Sequence, residues 1–194
     1  MTVEWAAASA PFGGETQSGD AALVRDVAGA TLVAAIDGLG HGPMAAVAAR
    51  RVVAALEECR SEPLPRVLQR CHAAAADTRG AALTVATFDA EAPRMSWLAV
   101  GNVAGVLVRA DGRRETVVAR PGIVGATLPP LRAGEVTLAQ GDVLVLATDG
   151  LTTGFARSVA PGEEPQALAD RLLADWSRGS DDALVLVARW AGTS

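Results

Sequence analysis

Apolar residues along this chain fall into runs of two kinds, and their spacing predicts its elements. Thr31 to Ile36 (T-L-V-A-A-I) is a continuous, β-branched apolar run that reads as a buried strand. It stops at Asp37-Gly38, and glycines at 38, 40 and 42 follow before Pro43 opens an alanine-rich amphipathic segment. In that segment Met44, Val47, Ala48, Val52, Leu56 and Cys59 recur near helical spacing, which predicts a helix over 44–59 with those residues inward. Ser61 to Pro65 reads as a break, and a second helix is expected over 67–76.

Ahead of this region, 3–8 and 21–27 read as strands, and Gly29-Ala30 as a tight turn joining 21–27 to 31–36 in a hairpin. Hairpin geometry then places Asp20, at the start of one strand, at the same sheet end as Asp37, at the end of its partner. From Ala82 the pattern changes to short strands over 83–88, 95–100, 103–108 and 115–118, with turn signals between them, Gly101-Asn102 included. An irregular loop covers 121–130, and strands follow at 136–138 and 143–147. The remainder is a helix over 164–176 and a last strand over 183–189. Strands, two helices, more strands, one helix and a strand argue for an α+β domain of mostly antiparallel sheets flanked by helices, spanning 1–194.

Composition narrows the function. The formal net charge is −5, and all 17 basic residues are scattered arginines with no stripe alternating with aromatics, which argues against a nucleic-acid surface. Apolar runs stop short of the roughly 18 to 20 residues a membrane span needs. The start, M-T-V-E-W, lacks the charged and apolar regions of a signal peptide. Cys59 and Cys71 fall in helical segments and suit a reducing compartment, so a cytoplasmic protein is expected.

The candidate chemistry lies in carboxylates. Gly19-Asp20, Asp37-Gly38, Asp149-Gly150 and Asp181-Asp182 each sit where an apolar run meets a loop. Oxygen-only donors favour Mg²⁺ or Mn²⁺ over zinc, and Cys71-His72 lacks zinc-site spacing. Any single Asp-Gly is more often a turn than a ligand, and Asp111-Gly112 and Gly141-Asp142 read as turns. Glycines 38, 40 and 42 precede a helix, but no lysine follows as a nucleotide loop requires. His72 and both cysteines read as helix packing, and the four tryptophans as core or sheet-edge packing.

Taken together, G-D at 19–20, D-G-L-G-H-G at 37–42, G-D-V-L-V-L-A-T-D-G-L at 141–151 and D-D-A-L-V-L-V at 181–187 resemble the metal-dependent protein phosphatases of the PPM (PP2C-like) class. The match is to the bacterial branch that includes the sporulation phosphatase SpoIIE and the stress-response phosphatases, and it covers nearly the whole chain. The resemblance implies a four-layer αββα sandwich and two Mn²⁺ or Mg²⁺ ions. It implies that Asp37 bridges both ions, with Asp20 and the Gly38 carbonyl serving one and Asp149 and Asp181 the other; Asp182 is the alternative last ligand. Metal-activated water would attack phosphoserine or phosphothreonine. The implied substrate is a phosphorylated stressosome or anti-sigma-antagonist (STAS-type) protein, with the phosphatase a monomer.

The chain departs from the class in three places. No arginine lies between Phe12 and Gly19, where many eukaryotic members bind substrate phosphate, so the metals or an arginine from elsewhere must hold it. Leu39 stands where a proton-donating histidine follows the Asp-Gly pair in relatives, with His41 two positions on as donor, loop cap or outer neighbour of the metal. The large flap of other members has little room. Two rivals are a non-catalytic binding module of the same fold and a hydrolase of small phosphoesters. The second would show a defined pocket with convergent polar groups.

Overall fold

A computed structural model describes residues 2–193. The first half runs β1 (Val3–Ala10), β2 (Asp20–Val27), β3 (Ala30–Gly38), α1 (Gly42–Glu57), α2 (Leu64–Ala74) and β4 (Ala81–Asp89). The second runs β5 (Arg94–Val100), β6 (Ala104–Val108), β7 (Arg114–Val117), β8 (Gly134–Thr137), β9 (Val143–Ala147), α3 (Pro165–Trp176) and β10 (Ala183–Trp190). A short 3-10 turn at Thr153–Arg157, which no sequence signal announced, follows β9.

The strands form two five-stranded sheets, ordered β1-β10-β9-β6-β7 and β2-β3-β4-β5-β8, and every named strand pair is antiparallel. Continuous apolar runs follow from burial on both faces. Side chains alternate across a strand, so Leu32, Ala34 and Ile36 of β3 pack under α1 and α2, while Val33 and Ala35 face the other sheet. On the second sheet Val143, Val145, Val185 and Val187 pack under α3, and Leu144, Leu146, Leu186 and Ala188 fill the space between sheets. Trp190 and Phe88 stack there with ring centroids 6.2 Å apart. The layering is therefore the expected αββα sandwich.

Three details correct the sequence reading. The inward face of α1 is carried by Ala45, Ala46, Ala48, Ala49, Val52, Ala55 and Leu56, while Met44 is 54% exposed. The reason is close approach: a Cβ on Gly38 would overlap the Ala45 carbonyl, so only small residues fit there. Pro65 lies in the first turn of α2 rather than in a break, since a helix start has no use for its missing N–H. Gly101-Asn102 is no hairpin turn, because β5 and β6 belong to different sheets and the dipeptide carries the chain between them.

Among the described residues no helix is long and apolar enough to cross a membrane.

Candidate metal centre

The centre is built where four strand ends meet. The β2–β3 ladder pairs Asp20 with Asp37, so hairpin register sets two carboxylates side by side. β9 runs out at Ala147 and delivers Thr148 and Asp149, and Asp181-Asp182 lead into β10, the neighbour of β9 in its sheet. Glycines let these loops touch. A Cβ on Gly150 would overlap the Asp182 carbonyl, and one on Gly19 would lie 2.6 Å from the Ala45 Cβ. The repeated pairing of glycine with aspartate thus has a steric cause.

Each aspartate is held differently. Asp20 and Asp37 are half-buried, Asp149 is exposed, Asp181 is half-buried and Asp182 is 3% exposed. Thr148 Oγ1 donates to Asp20 Oδ2 at 2.6 Å while accepting from the Leu184 N–H at 2.9 Å. Asn102 Nδ2 donates to Asp149 Oδ2 at 2.7 Å. Both oxygens of Asp182 are engaged, Oδ1 by the Phe12 N–H at 2.8 Å and Oδ2 by the Gly19 N–H at 2.7 Å. Asp182 therefore ties the 11–19 loop to β10, leaving Asp181 as the less committed member of the pair. The Asp181 Oδ1 accepts only the Asp182 N–H among described donors, at 2.9 Å.

The electrostatics are those of an unneutralised acidic cluster. Desolvation raises the Asp37 pKa to about 8, helped by the charges of Asp20, Asp149, Asp181 and Asp182. Desolvation likewise raises Asp20 to about 7, against the lowering effect of the Thr148 hydrogen bond and with the other aspartates adding to the rise. None of these five aspartates takes part in an ion pair among the described residues. Nor do three His, Cys, Asp or Glu side chains among them converge into a ready-formed metal cage. The donor set still fits a hard divalent cation: it is all oxygen and anionic, and cation binding would relieve its repulsion.

The family model for Stage II sporulation protein E (SpoIIE) matches residues 28–191. The chain belongs to the SpoIIE family. The phosphoserine phosphatase RsbX of Bacillus subtilis (strain 168) is 22% identical over 177 residues, 91% of this chain and 89% of RsbX. A crystal structure of RsbX with magnesium superposes with a TM-score of 0.84 at 19% identity, covering 97% of this chain and 95% of that one. A chain from a structural study of the bacterial stressosome, as a modular system adapted to control secondary messenger signalling, superposes with a TM-score of 0.86. It is 31% identical, covering 97% of this chain and 100% of its own. The catalytic domain of the serine/threonine phosphatase PstP with two manganese ions matches at TM-score 0.71 and 20% identity, covering 98% and 99% of the two chains. The fold is that of the PP2C-like phosphatases, and the enzyme class is phosphatase.

The two histidines and Cys71 separate clearly. His41 occupies the cap position of α1 without a side-chain cap bond; its Nδ1 lies 3.2 Å from Glu15 Oε1 and its ring 5.1 Å from that of Phe12. His72 accepts the Gly125 N–H at 2.9 Å and is structural. Burial pushes the Cys71 thiol up to about 12, which leaves it inert.

Sequence reasoning missed Thr148, although it sits one residue before Asp149. It read Gly101-Asn102 as a turn, because the crossover between sheets has no local signature. Arg79 was also missed. Its guanidinium lies over the loop between β3 and α1, with Nη1 3.1 Å from where a Cβ on Gly40 would be. The Leu39 N–H donates to the Gly80 carbonyl at 3.0 Å, which ties the Arg79 segment to that loop.

Proposed function

We propose that the chain is a divalent-metal-dependent serine/threonine protein phosphatase acting on a phosphorylated stressosome or anti-sigma-antagonist type protein. The observation that carries this reading is the Asp20–Asp37 register, with Asp149 and Asp181 brought to the same end of the sandwich and no basic side chain among the described residues paired to any of them. Asp20, Asp37 and the Gly38 carbonyl would hold one Mn²⁺ or Mg²⁺ ion, and Asp37, Asp149 and Asp181 would hold a second. When bound, the ions supply Lewis-acid stabilisation of the phosphoryl oxygens and a water of lowered pKa. Thr148 fixes the orientation of the Asp20 carboxylate and Asn102 that of Asp149. Asp182, with both oxygens engaged by backbone N–H groups, holds the loop that carries Asp20. Arg79 takes the role left open by the missing arginine ahead of Asp20, gripping substrate phosphate from the Gly40 side. His41 remains the candidate proton donor, reached through movement away from Glu15.

A protein substrate is favoured over a small phosphoester by the cavity beside the centre. It has a volume of about 420 Å³ and is lined by Leu39, Ala82, Ala119, Pro121 and Ile123, with Asn102 its one polar side chain. Such a wall offers a small polar phosphoester few partners but suits the side chains of a polypeptide. The stressosome assignment rests on the likeness to RsbX and to the stressosome chain.

The test is hydrolysis of an aryl phosphate and a phosphothreonine peptide with Mn²⁺, Mg²⁺ or chelator, in wild type, Asp37→Asn and Asp149→Asn. Metal-dependent turnover lost in both variants is expected. A folded, metal-binding wild type that turns over neither substrate with any ion would overturn the reading.

A further inference from the structure

The loop from β7 to β8 carries a second surface that the metal chemistry does not use. A groove of about 470 Å³ runs along it, walled by Trp97, Val118, Arg120, Pro121 and Arg132. Neither Arg120 nor Arg132 makes a side-chain hydrogen bond or ion pair among the described residues. Elsewhere Arg94, Arg109, Arg171 and Arg189 are each paired with a carboxylate. Arg120 and Arg132 instead place two exposed guanidinium groups along one groove, in a chain of formal net charge −5.

The groove is held in place. The Arg120 N–H donates to the Ala99 carbonyl and its carbonyl accepts the Gly101 N–H, both at 3.0 Å, so the main chain beneath that arginine is clamped to β5. The Trp97 ring packs against Gly134 at the start of β8, and Val118 is 69% exposed beside it. Ala119 and Pro121 line both this groove and the apolar cavity at Leu39 and Asn102. Asn102 in turn holds Asp149. Cavity and groove thus adjoin at Ala119 and Pro121, and the trough they make together extends from Asn102, beside Asp149, past an apolar stretch to a pair of arginines.

We propose that this trough seats the polypeptide flanking the phosphorylated residue, and that Arg120 and Arg132 select protein substrates with acidic side chains in that flank. The inference rests on the phosphatase reading and adds a substrate class to it. Guanidinium groups pair with carboxylates in a fixed fork, and Val118 and Trp97 give the flanking segment apolar contact. Charges at such a rim govern encounter and salt dependence.

Binding and turnover separate the two readings. Fluorescent peptides with acidic, alanine or lysine flanks around phosphothreonine are titrated by anisotropy, with chelator present, into wild type and the Arg120→Glu/Arg132→Glu double variant. Circular dichroism checks that the variant folds, and aryl phosphate turnover is measured in parallel. The acidic peptide is expected to bind wild type at least about tenfold more tightly than the lysine peptide, with the order reversed in the double variant. Raised salt should erase the difference, and aryl phosphate turnover should be equal in the two proteins. Equal affinity for all three flanks, or an unchanged order in the variant, would overturn the docking surface. Absent aryl phosphate turnover in both proteins would count against the phosphatase reading alone, because the binding comparison does not depend on it.

Discussion

Asp20 and Asp37 stand directly opposite each other across the β2–β3 ladder, two carboxylates in register at one sheet end. Their pKa values, ordinarily 3.8, rise to about 7 and about 8. Because the folded protein then binds more protons than the unfolded chain between pH 4 and 8, metal-free stability falls as pH rises through that window. The metal-free melting temperature should therefore be higher at pH 5 than at pH 8, and Mn²⁺ should raise it far more at pH 8. Asp37→Asn removes a charge that repels its neighbours, so it should stabilise the chelated protein at pH 8 while abolishing turnover. Thermal melts at both pH values, with chelator and with Mn²⁺, check both statements; a metal-free protein more stable at pH 8 would contradict them.

Thr148 bridges the two sheets at the centre, donating to Asp20 and receiving the Leu184 N–H. Thr148→Ala should weaken metal affinity by about 10- to 100-fold, the usual effect of removing a group that orients a ligand. Thr148→Ser keeps the hydroxyl and should restore most of it. The Mn²⁺ concentration giving half-maximal turnover reads this directly, and equal values for the Ala and Ser variants would refute a role for the hydroxyl.

The antiparallel, helix-flanked sheets and the Asp20–Asp37 pairing were legible because both follow from local rules: buried runs make strands, and a hairpin fixes register; the four-layer stacking came only with the family resemblance. The inward face of α1 was legible only in part. Met44 satisfies helical spacing, yet the sheet comes so near at Gly38 that alanines carry the contact. What the sequence could not show were contacts between distant segments. Asn102 meets Asp149 across 47 positions, Thr148 meets Asp20 across 128, and Asp182 meets Phe12 across 170. No periodicity encodes such meetings; they arise from the order of strands in two facing sheets.

Arg79 offers a test of how substrate phosphate is held. A charge-assisted hydrogen bond contributes about 1.5–3 kcal/mol, so Arg79→Ala should lower kcat/KM by about 10- to 100-fold for aryl phosphate and phosphopeptide alike. The shared loss distinguishes it from Arg120 and Arg132, whose effect is confined to peptides. Arg79→Lys should recover part of the activity, since it restores charge without the planar fork. Steady-state kinetics on both substrates decide it; an unaltered kcat/KM in Arg79→Ala would remove the residue from the site.

Asp142 reads in the sequence as half of a Gly-Asp turn, yet its residue is 1% exposed. Its carboxylate receives Arg109 Nη1 at 2.7 Å and the Ala110 and Ala139 N–H groups at 2.9 Å each. It joins the β6–β7 hairpin to the start of β9, at the opposite end of that strand from Asp149. Asp142→Ala leaves Arg109 and the Ala110 and Ala139 N–H groups without that partner, and breaking one side of a buried pair costs about 3–5 kcal/mol. At about 2–4 °C per kcal/mol for a chain of this size, the melting temperature should fall by about 6–20 °C. Turnover per folded molecule at low temperature should stay near wild type, because Asp20, Asp37, Asp149 and Asp181 are untouched. Thermal melts paired with activity at 10 °C check both halves, and a variant that melts normally would show that the three hydrogen bonds are replaceable by water.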